Sequence, residues 1–330
     1  MDTTQKQVYI GIDIAKLSFA ACLTRPEGKS HKKDFPNTPD GFAKLLRWVA
    51  HLAMDATCHF CMEATGSYYE ALAIHLAEAN QLVSVVNPHR SYHAAKAAAA
   101  GNKTDPAEAY QLAEFCRKEN PRIWRRATPE VRTLVALMRR LQALQDHLTQ
   151  ERNRIGDPSV NGQPEVIASL KKSIDFLNSE IAALRKQIRQ HINNNPNLKQ
   201  DRDLLISIPG IGEQTANWIL AELPDVKLIR AAKSAAAYTG LAPSEYSSGK
   251  SIHRRTRLSK RGSVRLRRAL YMPALTAARC NPAIKALYDR LVARGRSRMA
   301  AIGAAMRKLI MIAYGVLKSR KEFQHAILES

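Results

Sequence analysis

Leu134, Leu137, Leu141, Leu144 and Leu148 recur alternately three and four residues apart, as do Ile167, Leu170, Ile174, Leu177, Ile181, Leu184 and Ile188. Such a seam can be buried only along one side of a long helix. Gly156, Pro158, Gly162 and Pro164 lie between the two runs, and residues of this kind break helices. The pattern predicts two long helices joined by a loop, either as an antiparallel hairpin or as an intermolecular coiled coil. Packing against the chain's own helical core, with no oligomeric role, is the other reading. Asn193-Asn194-Asn195-Pro196 ends the segment. The chain thus divides into residues 1–128, a hairpin over 129–197, and residues 198–330.

The first part reads as α/β. Residues 8–14, 58–64 and 82–86 are short, β-branched runs of strand type. Tyr69, Leu72, Ala73, Leu76, Ala77 and Asn80 have helical spacing between the last two. Strands alternating with helices imply a sheet with some parallel pairing. Residues 91–100 are rich in alanine, Gly101-Asn102-Lys103 breaks the pattern, and a helix is expected from about Pro106 to Cys116. From residue 200 the chain reads as mostly helical and basic, with a polar, Gly/Ser-rich, loop-like stretch over 240–263.

Charge bounds the partner. Across 330 residues, 51 Lys+Arg face 29 Asp+Glu, a formal net charge of +22. Such an excess points to a polyanion, most often nucleic acid. A peripheral membrane protein is the competing class, but no amphipathic terminal helix or lipidation signal supports it. No apolar run approaches the ~18 residues of a membrane span. The polar N-terminus enters a strand at once and gives no sign of a secretory signal. Five scattered cysteines (Cys22, Cys58, Cys61, Cys116 and Cys280) fit a reducing cytoplasm. Cys58 and Cys61 have CxxC spacing, but on a strand residues three apart face opposite ways, so packing is expected rather than zinc. His89 and His93 lack a third ligand. HExxH and a Walker-type glycine loop are both absent from the sequence.

Three constellations carry chemistry. The first begins with Asp13 inside the apolar run "VYIGIDIAK". A carboxylate in a buried strand costs several kcal/mol unless a cation or an exposed strand end compensates. Glu63 follows at the end of a second strand in "MEATG", and Asp105 and Glu108 lie one helical turn apart at a helix start in "KTDPAEA". Acids at two strand ends and one helix start can converge on a point where hard oxygen ligands suit Mg²⁺ or Mn²⁺. Taken singly, each has a structural reading. Asp105, Pro106 and Glu108 also form a capping box, and Glu63 can simply end a strand.

The second is Ser207-Ile208-Pro209-Gly210-Ile211-Gly212-Glu213, which has the form of a helix-hairpin-helix. Gly210 and Gly212 would let backbone N–H groups approach a phosphate without reading sequence, although a plain turn between two helices fits as well. The third is Tyr246-Ser247-Ser248-Gly249-Lys250-Ser251 and the basic run after it. Residues 250–268 hold nine Lys/Arg and no acid: Lys250, Arg254, Arg255, Arg257, Lys260, Arg261, Arg265, Arg267 and Arg268. A solvated face is the usual meaning of a charge run. Around serines in a glycine loop, phosphate contact is favoured. Guanidinium groups can stabilise the charge that builds as a serine attacks phosphorus, and Ser247, Ser248 and Ser251 are all candidates on chemistry alone.

Taken in order, "GIDIAK", "MEATGSYYE", "NKTDPAEA", "SIPGIGEQTA", "GLAPSEYSSGKS" and "RRALYMPA" resemble, over nearly the whole chain, the DEDD transposases of the IS-one-ten family of bacterial insertion sequences. Relatives of that family include site-specific DNA invertases. The resemblance implies an N-terminal RuvC-like domain of RNase H type, a coiled-coil insertion and a mostly helical C-terminal transposase domain. It implies that Asp13, Glu63, Asp105 and Glu108 bind metal and that Ser248, before Gly249, is the nucleophile. It further implies a phosphoserine intermediate on double-stranded donor and target DNA, a non-coding bridge RNA that pairs with both, and dimers or tetramers in the bacterial cytoplasm at the nucleoid. One position departs from the family: its fourth acid is normally Asp, and here it is Glu108, one methylene longer.

The reading is an RNA-guided DNA recombinase. Its nearest rival is a RuvC-like endonuclease or Holliday junction resolvase, in which metal-activated water attacks and no covalent intermediate forms. An actin-like sugar kinase also opens on a strand with Gly-Ile-Asp, but lacks its phosphate loops here. A non-catalytic nucleic-acid-binding protein would make the acids an accident.

Overall fold

Val8, Ile10, Ile12 and Ile14 alternate with Tyr9, Gly11 and Asp13, so one strand presents an aliphatic face and a face of mixed chemistry. In the computed structural model this strand is central. The structure describes residues 7–25, 29–54, 56–64, 66, 68–88, 91, 105–223, 225–248 and 252–324, with the side chains of 105, 245–248 and 252–256 outside that description. Two compact units form, residues 1–126 and 127–330.

In the first unit β1 (Gln7–Ile14), β2 (Ser18–Thr24), β3 (Ser30–Pro36), β4 (Thr57–Glu63) and β5 (Leu82–Val86) make one sheet in the order β3-β2-β1-β4-β5. β1 to β3 pair antiparallel, whereas β1, β4 and β5 run parallel. The expected strands are all present, and β2 and β3 are additional. The even residues of β1 pack with Phe42, Leu45 and Val49 of α1 (Pro39–Ala53) and Leu72, Ala73 and Leu76 of α2 (Tyr69–Glu78). Thr38 starts α1 by accepting a hydrogen bond from the Gly41 amide. The opposite face of the sheet is covered by α3 (Asp105–Glu119), where Leu112, Phe115 and Cys116 pack with Cys61 and Val86.

The cysteines are free thiols. Cys58 packs on the α1–α2 side and Cys61 on the α3 side, so the CxxC pair is split by the sheet, as strand geometry requires. Burial pushes the Cys22 thiol up to about 11, which leaves it protonated and unreactive at neutral pH. His89 and His93 lie outside the described residues.

A buried polar contact ties the free edge of the sheet to the following segment. Ser84 on β5 hydrogen-bonds the carbonyls of Pro121 (3.0 Å) and Arg122 (2.9 Å), and the Trp124 amide donates to the Val83 carbonyl at 2.7 Å. His59 Nε2 lies 2.8 Å from the same Ser84 hydroxyl. The serine proton is committed to a carbonyl, so Nε2 carries the imidazole proton, and Nδ1 is buried without a partner among the described residues. Burial holds the His59 pKa below its ordinary value. The unfolded chain therefore binds a proton near pH 6.5 that the folded chain refuses, and stability falls as pH drops below that point. The expected loss is at most about 1.4 kcal/mol per pH unit below about 6.5. Urea unfolding at several pH values should show this slope in wild type and a smaller one in His59→Gln. Equal slopes would remove His59 as its source.

In the second unit α4 (Pro129–Ile155) and α5 (Pro164–Asn193) form the hairpin within one chain. His191 Nε2, near the end of α5, lies 2.8 Å from the carbonyl of Glu130, near the start of α4, so the pair is antiparallel. Leu134, Met138, Leu141, Leu144 and Leu148 are buried with Leu177, Ile181, Leu184, Ile188 and Ile192. The same core continues into α6 (Pro196–Ile206), α7 (Glu213–Glu222), α8 (Ala232–Tyr238), α9 (Val264–Ala269), α10 (Tyr271–Cys280), α11 (Pro282–Ala293) and α12 (Arg298–Ser319). Contrary to expectation, α12 is long and apolar enough to cross a membrane, alone among the described residues. Its Ala305, Leu309, Ile310 and Ala313 are fully buried in the core of this unit, which accounts for its composition.

The stretch expected to be a loop over 240–263 is instead a two-stranded hairpin, β6 (Pro243–Ser248) with β7 (Ile252–Leu258). Backbone hydrogen bonds close its base: Ser259 to Ala242 (2.9 Å), Lys260 to Gly240 (3.0 Å) and Ser263 to Tyr238 (2.8 Å).

Candidate functional site

Asp13 lies on the odd-numbered face of β1, the face that α3 covers. The approach of α3 is very close. A Cβ at Gly11 would stand 2.0 Å from the Ala109 carbonyl oxygen and 2.3 Å from the Ala113 nitrogen. Small residues extend the same contact, since Ala20 and Cys22 of β2 pack on Ala109. Gly11 is therefore glycine for clearance rather than for backbone conformation. Gly11→Ala should lower stability by about 3 kcal/mol, the upper end for an overpacked core, because backbone must yield. Chemical denaturation measures this, and a change within error of zero would mean that α3 moves freely.

The packing also sets direction. Tyr9 lies against the cluster of Leu112, Phe115 and Cys116, and Gly11 lies against Ala109 to Ala113. As β1 advances toward Asp13, α3 runs backward. Two strand residues cover about 6.7 Å, and four helical residues cover about 6 Å. Asp13 therefore lies under the first turn of α3, which carries Asp105 and Glu108.

Glu63 comes in from the neighbouring strand. Gly11 pairs with Cys61 and Ile12 with Met62, so one more step of that parallel register sets Asp13 beside Glu63. Glu63 pairs with Val86 on its other side, and Val86 belongs to the α3-facing cluster. Asp13 and Glu63 are both partly buried. The buried Ser91 hydroxyl donates to Glu63 Oε1 at 2.5 Å and fixes that carboxylate. Among the described residues, no three of His, Cys, Asp and Glu stand close enough to hold a metal ion by themselves. The side chain of Asp105 and the residues 101–104 lie outside the described residues.

Two residues around this site carry no motif. Ser91 is one. Asn37 is the other: its amide donates to the carbonyls of Ala15 (3.0 Å) and Tyr68 (3.3 Å), and its backbone N–H to that of Leu17 (2.9 Å). It ties the turn after Asp13 to the turn after Glu63, where Gly66 has a φ of 62°.

The remaining candidates belong to the second unit. Ser248 is the last residue of β6 and pairs with Ile252 of β7. The intervening Gly249, Lys250 and Ser251 lie outside the described residues. Arg254 pairs with Tyr246 and Arg257 with Ser244. Arg255 and Thr256 thus oppose the single residue Glu245 in a bulge, a device that bends a strand and re-aims its side chains. Arg257, Lys260 and Arg261 are exposed. The other candidate pair, Gly210 and Gly212, lies in the turn between α6 and α7. Gly210 has a φ of 101°, and Gly212 is the N-cap of α7 with open space where its side chain would be.

Comparison with known proteins accounts for both units. Residues 10–157 match a family model described as "Transposase", and residues 202–289 match one described as "Transposase IS116/IS110/IS902 family". The chain is 35% identical over 325 residues to the pilin gene-inverting protein of Moraxella bovis, covering 98% of this chain and 99% of that protein. The pilin gene-inverting protein of Moraxella lacunata matches with the same identity and coverage. A 43.6 kDa protein of the insertion element IS110 of Streptomyces coelicolor is 31% identical over 153 residues, 46% of this chain and 36% of its own length. Matched in both of its units and related along its length to the two Moraxella proteins, the chain belongs to the IS116/IS110/IS902 family of transposases.

Proposed function

We propose that the protein is a site-specific DNA recombinase that cuts and rejoins double-stranded DNA through a phosphoserine at Ser248, directed by a non-coding bridge RNA. The observation that carries the reading is the parallel register of β1 and β4, in which Ile12 pairs with Met62 and the next residues are Asp13 and Glu63, on the face that α3 covers. Asp13 and Glu63 offer the hard carboxylate oxygens that suit a divalent cation such as Mg²⁺ or Mn²⁺, and Asp105 and Glu108 would be its further donors. When bound, such an ion neutralises charge on a phosphoryl group and orients the reacting oxygens. The mixed sheet crossed by α3 supports a RuvC-like, RNase H-type catalytic domain over 1–128. The α6–turn–α7 unit supports a helix-hairpin-helix in a transposase domain over 198–330, with the coiled-coil hairpin over 129–197 serving assembly of a dimer or tetramer.

In the reaction, Ser248 Oγ bonds to phosphorus as the bond to one deoxyribose oxygen breaks. The serine proton leaves to solvent and the departing oxygen takes one up. A hydroxyl of the second DNA then attacks the phosphoserine, a new phosphodiester forms and the serine is restored. Bond number is conserved, so no nucleotide cofactor is needed. Lys250, Arg254, Arg255, Arg257, Lys260 and Arg261 hold the phosphate and stabilise its extra charge. Gly210 and Gly212 admit the nucleic-acid backbone to the α7 N-terminus. The names of the Moraxella relatives favour this over a resolvase, since inverting a segment requires that every cut end be rejoined. Such a protein works in the bacterial cytoplasm on the nucleoid.

A strand-joining assay tests the reading. Two labelled duplexes with Mg²⁺ and the RNA encoded beside the gene should give joined strands, and EDTA should abolish them. Free cut ends that accumulate without joining would favour the metal-activated water of a resolvase.

A further inference from the structure

The turn before α7 is held rigidly. A Cβ on Gly210 would lie 2.6 Å from that of Ala277 on α10, so the turn sits directly on that helix. The buried Asn281 side chain donates to the Pro209 carbonyl at 3.2 Å and also caps α11 at the Ile284 amide. Beside the turn is a cleft of about 400 Å³, lined by Gly210, Ile211, Gly212, Thr215, Met272 and Thr276. Thr215 stands in the first turn of α7, is only 9% exposed, and has no side-chain hydrogen-bond partner among the described residues. Thr215 lines the cleft together with Gly210, Ile211 and Gly212, at a helix start, where the first amides are donors without helical partners. Glu213, the first residue of α7, pairs with Arg189 of α5 at 3.2 Å.

Met272 also lines a second cleft of about 660 Å³, with Val264, Arg267, Arg268, Tyr271 and Met306. Met272 and Val264 are 64% and 65% exposed, although both are apolar. The two clefts are shallow and adjoin at Met272, and together they make up an open groove on the surface. On one side of Met272 lie the donors of the α7 N-terminus; on the other lie Val264, Tyr271, Arg267, which also donates to the Thr239 and Lys260 carbonyls, and Arg268, which also pairs with Asp146.

We propose that this groove binds an unpaired nucleic-acid strand, with a phosphate at the α7 N-terminus and bases or sugars against Met272, Val264 and Tyr271. The inference deepens the nucleic-acid reading above and rests on it. A duplex presents mainly phosphates and has no use for an exposed Met-Val floor, whereas an unpaired strand offers base faces to it.

The test is fluorescence anisotropy with an unpaired oligo(dT), an unpaired oligo(U) and a DNA duplex of equal length, each at several salt concentrations. Met272→Ala should weaken unpaired-strand binding about tenfold, toward the low end for a base-contacting side chain. Its salt slope should be unchanged, because no phosphate contact is lost. Thr215→Val keeps the shape and should cost about fivefold, as for one lost hydrogen bond. Duplex binding should not change in Met272→Ala, which removes no phosphate contact. Loss on oligo(dT), oligo(U) or both supports the groove and identifies the sugar it accepts. Unchanged binding of both strands in Met272→Ala, or equal loss on duplex, overturns it. Wild-type protein that binds no nucleic acid would instead overturn the functional reading on which the inference rests. A thermal melt of each variant separates lost binding from lost fold.

Discussion

Asp13→Asn should yield a folded protein that joins DNA at least about a hundredfold more slowly, since removing even an outer partner of a metal ligand costs up to that factor. Asparagine keeps the shape and one oxygen but loses the charge that would hold a hard cation. Without metal, the variant should melt no lower than wild type. Asp13 and Glu63 each follow the paired residues Ile12 and Met62 on neighbouring strands, and neutralising one of two nearby carboxylates relieves their repulsion. Calorimetry with and without Mg²⁺ completes the test: wild type should gain melting temperature on adding the ion and Asp13→Asn should gain little. Unchanged joining, or an equal gain in the variant, would remove Asp13 from the site.

Ser248→Ala should abolish both joining and any covalent protein–DNA product. Binding should stay within about 1 kcal/mol, the worth of one hydrogen bond. The position suits the role: Ser248 ends β6 where the hairpin turns, and the base of that hairpin is pinned by three backbone hydrogen bonds. A nuclease that uses water has no need of this hydroxyl. Denaturing electrophoresis of labelled DNA with protein and Mg²⁺ reads the result as a slow, protease-sensitive band. A band that persists in Ser248→Ala but vanishes in Ser247→Ala or Ser251→Ala would move the nucleophile. Free cut ends with no such band in wild type would favour hydrolysis.

The parts of the fold legible in the sequence are those with strong periodic burial. β1, β4 and β5 are β-branched, and the α4–α5 seam repeats over many turns. β2 is hidden because α3 lies so close that Ala20 and Cys22 must be small, which removes the bulky residues that announce a strand. β3 is hidden because it is an edge strand with exposed His31, Lys32, Lys33 and Asp34, charges that keep an edge from pairing further. The β6–β7 hairpin reads as loop because its strands are polar and basic and show no apolar alternation. In the site, Asp13 and Glu63 stand out as acids ending apolar runs. Ser91 and Asn37 do not, because their roles depend on partners far away in the chain: Glu63 for one, Ala15 and Tyr68 for the other.

The bare contact of α3 on Gly11 has a consequence for how this chain can change length. With helix backbone seated on strand backbone at Ala109, the number of residues from Asp105 to Ala109 is fixed by geometry rather than by chemistry. One residue inserted there would turn the start of α3 by about 100° and shift it by about 1.5 Å, carrying its acids away from Asp13 while leaving every side chain in the motif intact. A substitution such as Asp to Glu at position 108 changes only reach. Insertions and deletions are therefore expected to be excluded from this turn, even where its individual residues vary.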